Sequence, residues 1–246
     1  MAIIGVFGYA GSGKDTVGKL IQYVISDRSK TPLNPLNEVI EDYNNHEWWL
    51  EEMSSWEIKK WAGKLKAVAS LLTGIPQENF EDQEFKKTNL GPEWSTWEPY
   101  ESDAPWIAEG EKSEIPMTVR DLLQKLGTDA MRDGLHTNAW INALMADYTP
   151  TQVQWAQGPL GGYEDGPLPN WIITDTRFPN EAQAIKDKGG IVVKIERPGI
   201  GPVNDHPSET ALKDYNFDYT INNDGKLEDL LIKIKKFLNS SVFTSL

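Results

Sequence analysis

The segment Gly8-Tyr9-Ala10-Gly11-Ser12-Gly13-Lys14-Asp15-Thr16 limits what this chain can be more than any other feature. It follows Ile3, Ile4, Val6 and Phe7, a continuous apolar run of the kind found in strands buried on both faces. It precedes Val17, Leu20, Ile21, Val24 and Ile25, which recur at helical spacing. Phosphate oxygens need donors packed more densely than side chains can supply. Glycines let successive backbone N–H groups turn toward one point, and the positive end of the following helix dipole faces the same point. Lys14 adds a mobile charge. The spacing is G-x-x-x-x-G-K, with Asp15 where a hydroxyl normally ligates magnesium, and Thr16 is one residue out of register. The segment therefore reads as a phosphate-binding loop lined by Gly8, Gly11, Ser12, Gly13, Lys14, Asp15 and Thr16. The alternative is a glycine-rich turn without a ligand, and the strand–loop–helix setting weighs against it.

The remainder alternates strand and helix. Ile58, Trp61, Ala62, Leu65, Val68, Ala69 and Leu72 predict a second helix, stopped by Gly74 and Pro76. A third starts near Thr118, a candidate N-cap with Asp121 three residues on, and runs through Leu122, Leu123 and Leu126. Trp171–Thr174, Ile191–Ile195 and Tyr219–Ile221 read as strands, and Pro179 opens a helix that ends at Gly189-Gly190. The closing helix carries Leu227, Leu230, Leu231, Ile234, Phe237 and Leu238. Such alternation predicts an α/β fold with a mostly parallel sheet covered by helices on both faces.

The 246 residues form one domain in this reading, without repeats or a long linker. Their net charge of −13 argues against binding nucleic acid polymers or anionic membranes. No apolar run approaches the roughly 20 residues of a spanning helix. Met1-Ala2-Ile3-Ile4 lacks the basic start of a secretory signal. The absence of cysteine excludes thiolate metal sites and fits a reducing cytoplasm, and three widely spaced histidines make a histidine metal cluster improbable. Between Ile75 and Met117, eleven carboxylates face three lysines, amid Trp94, Trp97, Trp106 and several prolines. This stretch reads as a long, partly irregular insertion or lid, or equally as an acidic surface anchored by tryptophans. Thr149 to Asn170, with four glycines and four prolines, reads as a loop. The tryptophans also leave room for a homodimer.

A phosphate cradle alone does not separate kinases from GTPases, motor ATPases or nucleotide sensors. The chain lacks an Asn-Lys-x-Asp run for reading guanine, and Ile173-Thr174-Asp175 carries one acid where motor ATPases usually carry two. Gly13-Lys14-Asp15-Thr16, the run from Asp175 through Arg177 to Glu181, and Arg120 with Gln124, Gly127, Thr128 and Trp140 resemble the deoxynucleoside monophosphate kinases of tailed bacteriophages. The resemblance runs from residue 3 to about 238 and is weakest over 75–117. It implies a three-layer P-loop kinase fold with an inserted lid or acceptor region. It also implies transfer of the ATP γ-phosphate to a deoxynucleoside 5′-monophosphate, with ATP and Mg²⁺ required, in the cytoplasm of the host if the protein is phage-encoded. A kinase for another small acceptor, such as a coenzyme precursor or nucleoside, and a non-catalytic ATP switch stay open.

Arg120, Gln124, Thr128 and Arg132 follow at four-residue steps and share one face of the third helix. By spacing alone this stripe reads as a solvated face. The resemblance assigns Arg120, Gln124 and Thr128 to the acceptor, with Gly127 permitting close approach and Arg132 an extension of the stripe. Trp140 offers a plane for the acceptor base, or a place in the core. Asp175 ends a buried strand, where ligands of open α/β sheets collect, and is read with Asp15 as a metal ligand. Arg177 is placed to reach phosphates, while Glu181 orients it or binds the sugar; the alternative is a charge cluster at a helix start. Arg197 is the candidate lid arginine, and Asn223, within Asn222-Asn223-Asp224-Gly225, is expected near the adenine. Lys64, Lys66 and His206–Glu209 are weaker candidates.

Overall fold

A computed structural model describes residues 2–26, 54–99, 112–154, 161–202 and 210–246. Trp106 and His206–Glu209 lie outside the described residues. Strand β1 (Ile3–Phe7) leads through the glycine loop into α1 (Lys14–Ser26). Next come β2 (Trp56–Lys59), α2 (Trp61–Thr73), β3 (Thr96–Pro99) and β4 (Lys112–Ile115). After α3 (Val119–Gln124) and α4 (Ala139–Met145) lie β5 (Gln152–Gln154), β6 (Tyr163–Asp165) and β7 (Asn170–Ile173). The chain closes with α5 (Pro179–Asp187), β8 (Ile191–Glu196), β9 (Tyr219–Asn222), α6 (Leu227–Leu238) and α7 (Ser241–Thr244).

Five strands form a parallel sheet in the order β2-β7-β1-β8-β9. Alternation along each strand builds two cores. Ile4 and Val6 of β1, Ile172 of β7 and Val193 and Ile195 of β8 face Val17, Leu20 and Ile21 of α1 and Leu231 and Ile234 of α6. Ile3, Phe7, Trp171, Ile173 and Val192 point to the opposite face, against Ala182 and Ile185 of α5 and Ile141 and Leu144 of α4. The sheet is thus sandwiched between helices, which is the expected three-layer arrangement.

Chain contacts divide the protein into two compact units, 1–61 with 141–246, and 62–140. The second has its own small core of Ala69, Phe80, Val119 and Leu122, with Trp94, Leu123 and Leu126 packed against it. The described residues of the 75–117 stretch include short 3₁₀ turns and the antiparallel pair β3–β4, where Trp97 is exposed.

Three elements differ from the sequence reading. Ile58 is not helical: it belongs to β2, paired with Ile172 of β7, and the helix begins at Trp61. A four-residue strand is too short to show a period beside a strong helical one. The loop from 149 to 170 contains the antiparallel pair β5–β6 and the start of β7. The third helix begins as expected, with the Thr118 hydroxyl accepting from the Asp121 amide at 3.1 Å and the Asp121 carboxylate accepting from the Thr118 amide at 3.0 Å. From Lys125 to Asp133, however, it winds as a π-helix. The Gly134 amide reaches back five residues to Asp129, and His136 likewise to Met131.

Candidate functional site

The loop after β1 is held from both inside and outside. Ser12 N–H donates to the Tyr9 carbonyl at 3.0 Å, and Gly11 and Gly13 take φ of +80° and +87°, a region side chains resist. The Gly11 carbonyl accepts from the Arg197 guanidinium at 3.2 Å, and the Ser12 carbonyl from the Asn223 amide at 2.8 Å. Those two carbonyls are thus tied by side chains from the far end of the chain. The first intrahelical bond of α1 runs from Val17 N–H to Gly13, so the amides of its first turn point out of the helix end. The Lys14 side chain is only 12% exposed, which keeps its ammonium close to this cluster.

Asp15 is drawn toward the sheet. Its Oδ1 accepts from the Thr174 hydroxyl at 3.1 Å and lies 3.4 Å from the Lys60 ammonium, while Lys14 is 4.0 Å from Oδ2. Burial works to raise the Asp15 carboxyl, but Lys60, then Lys14 and the Thr174 hydroxyl outweigh it, so the group sits below the usual aspartate value. Asp175, just beyond β7, accepts the Trp61 amide on Oδ1 at 2.8 Å. Asp175 stands just past the carboxyl end of β7, and Asp15 in the first turn of α1. Lys60 and Thr174 were not singled out in the sequence. The signal was a lysine pair ending a strand too short to recognise.

Beside the loop lies a cleft of about 320 Å³, lined among others by Tyr9, Ser12, Lys194, Arg197, Ile200 and Asn222. The Ser12 hydroxyl on its wall is buried and has no hydrogen-bond partner. An orphan hydroxyl of this kind marks a surface built for a polar ligand. Arg197, read as a lid arginine, and Asn223, read as lying near the adenine, each brace the loop through one of its carbonyls.

Glu181 is buried, and its Oε2 accepts from the amides of Arg177 and Phe178 at 2.7 and 3.0 Å. It caps α5 and fixes the turn that carries Arg177. In the second unit, Arg120 and Gln124 are exposed, whereas Thr128 and Arg132 are half-buried. A π-helix has about 4.4 residues per turn, so a four-residue step falls short of a full turn instead of overshooting it. The widened winding over Lys125–Asp133 therefore breaks the simple four-residue stripe read from the sequence. The Trp140 indole N–H donates to the Gly127 carbonyl at 2.9 Å. A Cβ on Gly127 would stand 3.0 Å from Leu65, so this glycine serves packing against α2. Lys66 is buried in an ion pair with Glu81.

A parallel, helix-covered sheet whose first strand enters a glycine loop of this shape defines a P-loop nucleotide-binding protein with the kinase-type fold. The model of the family described as deoxynucleotide monophosphate kinase matches residues 85–234. The chain belongs to that family. It is 33% identical over 125 residues to a putative deoxynucleotide monophosphate kinase of Acanthamoeba polyphaga mimivirus, covering 48% of this chain and 59% of that protein. It is 32% identical over 125 residues to the deoxynucleotide monophosphate kinase of Enterobacteria phage T4, covering 51% and 47%. A longer match, 24% over 235 residues and 85% and 84% of the two chains, joins it to the deoxynucleoside-5′-monophosphate kinase of Escherichia phage T5. The chain spans about half the length of the first two relatives, at 59% and 47%.

Proposed function

We propose that this protein transfers the γ-phosphate of ATP to a deoxynucleoside 5′-monophosphate, giving the diphosphate. The observation that carries the reading is the loop itself, pre-shaped by two left-handed glycines with the Lys14 side chain 12% exposed against it, in a chain of this family. The triphosphate lies along residues 8–16, and the donor base takes the neighbouring cleft beside Asn222 and Arg197. Arg120, Gln124, Thr128, Arg132 and Trp140 serve the monophosphate. Free nucleotides in the cytoplasm are its partners; among the described residues no helix is long and apolar enough to cross a membrane.

The acceptor oxygen belongs to a phosphate already ionised at neutral pH, so the protein needs no strong base. Two anions must be brought in line, and the task is positioning and charge stabilisation. Lys14 follows the transferring group, and Arg177 on its capped turn offsets charge on the reacting phosphates. Among the described residues no group of three or more acidic or histidine side chains could hold a metal. Mg²⁺ bound with a nucleotide usually needs only one or two carboxylates, and Asp175 fits that requirement, whereas Asp15 is engaged by Lys60 and Thr174. The chemistry it supplies when bound is neutralisation of the phosphate oxygens.

A coupled assay with ATP, Mg²⁺ and each of the four deoxynucleoside monophosphates tests the reading. Turnover with any of them is expected, and Lys14→Ala lowers it on the order of 10²–10⁴-fold. ATP binding without turnover overturns it in favour of a switch protein. Turnover only with a nucleoside or another small acceptor overturns the substrate class.

A further inference from the structure

Asp15 places a negative charge where loops of this spacing carry a neutral hydroxyl, directly beside the expected triphosphate. Left alone it would repel the nucleotide and draw Lys14, 4.0 Å away, out of service. The fold answers with Lys60. This residue follows β2, whose register sets Lys59 beside Ile173, and the Thr174 amide donates to the Lys59 carbonyl at 3.2 Å. Lys60 and Thr174 therefore emerge side by side from adjacent strand ends. Gly18 of α1 lets the helix close on Thr174, since a Cβ there would come within 2.4 Å of its methyl. The closure carries Asp15 to both partners, at 3.4 Å from the Lys60 ammonium and 3.1 Å from the Thr174 hydroxyl. Lys60 is the nearer of the two lysines.

We propose that Lys60 is a positioning residue that cancels the charge of Asp15, leaving the charge of Lys14 for the phosphates. Lys14, Asp15 and Lys60 together carry one net positive charge, as does a loop with a hydroxyl at position 15. The arrangement also holds Asp15 against the sheet by two donors from separate strand ends, Lys60 after β2 and Thr174 after β7. It rests on the nucleotide-binding part of the proposed function and not on the identity of the acceptor.

The test is ATP titration, in EDTA so that no metal takes part, of the wild type, Lys60→Gln, Lys60→Arg, Asp15→Ser and the Asp15→Ser/Lys60→Gln double variant, with thermal melts of each. At an effective dielectric of about 20, discounted for the 31% exposure of Lys60, the uncompensated charge weakens binding about tenfold in Lys60→Gln. Lys60→Arg stays near wild type, and the double variant returns to within about threefold, the coupling that a shared charge balance requires. A Lys60→Gln protein within about twofold of wild type overturns the proposal by making the pair an ordinary surface contact. A double variant as weak as Lys60→Gln also overturns it, since Lys60 then touches phosphate without Asp15. A melting loss that accounts for the weaker binding and that arginine does not repair is a third refuting result. Wild type that binds ATP but turns over no deoxynucleoside monophosphate sinks the kinase reading and leaves the Lys60 cycle to be judged on its own affinities.

Discussion

Gly13→Ala is the sharpest single perturbation of the loop. At φ +87° an alanine costs about 1–2 kcal/mol from contact of its Cβ with the backbone. That Cβ would also lie 2.6 Å from the Asn223 side-chain nitrogen, which holds the Ser12 carbonyl at 2.8 Å. Displacing Asn223 forfeits a hydrogen bond worth about 0.5–1.5 kcal/mol. The sum of about 1.5–3.5 kcal/mol corresponds to roughly 10- to 300-fold in ATP affinity if the loop absorbs all of it. Calorimetric titration with a parallel thermal melt reads both ways the cost can appear. Asn223→Ala on the Gly13→Ala background removes the collision but restores neither the hydrogen bond nor the φ penalty, so it brings no recovery and costs less there than in the wild type. Gly63→Ala is the control: it lies within α2, nothing stands within 4 Å of its Cβ, and it stabilises by about 0.5–1 kcal/mol. A Gly13→Ala protein with wild-type affinity and wild-type melting would refute the view that the left-handed turn and its Asn223 brace shape the site.

Three further outcomes follow from the geometry. The Thr118 hydroxyl, with its amide, holds the Asp121 carboxyl below the ordinary aspartate value, so the stability this cap contributes is present above the unfolded value and is lost as pH falls through the lowered folded one. Asp121→Asn removes that acid dependence, which urea unfolding between pH 2 and about 6 will detect. Glu181→Ala strands two amides at the start of α5 and costs about 1–3 kcal/mol, with a larger loss in kcat than in ATP affinity because the Arg177 turn loosens; equal stability by denaturant titration would contradict the cap. Trp140→Phe keeps an aromatic plane but not the N–H bonded to Gly127. If stacking is its role, monophosphate KM stays within about threefold, and a larger change assigns Trp140 to fixing the π-wound segment.

The central strands and their helices were legible because their apolar residues are buried on a strict period. Ile3–Phe7, Trp171–Ile173 and Ile191–Ile195 line two cores on alternate sides, and no competing pattern overlaps them. The glycine loop was legible for a different reason: its residue types are those only a left-handed turn demands. β2 was hidden because its four residues abut a long helix that also begins with an apolar residue. The π-winding of Lys125–Asp133 leaves no mark in composition, since it depends on which carbonyl each amide selects after folding. The two roles of Asn223 and Arg197 were half visible: their nearness to the loop follows from the fold, but their hold on its carbonyls is a matter of side-chain geometry. Lys60 illustrates the same limit. A lysine at a strand end is commonplace, and only the register between β2 and β7 brings it to Asp15.

The grips on the Gly11 and Ser12 oxygens come from residues 186 and 211 positions downstream. β1 itself lies between β7 and β8, which begin only at Asn170 and Ile191. A chain emerging from the ribosome thus carries its glycine loop well ahead of the residues that brace it, and the loop has nothing to lean on until the last strand and its following turn are delivered. The shape of the loop is consequently imposed late, by strands and side chains far downstream of it.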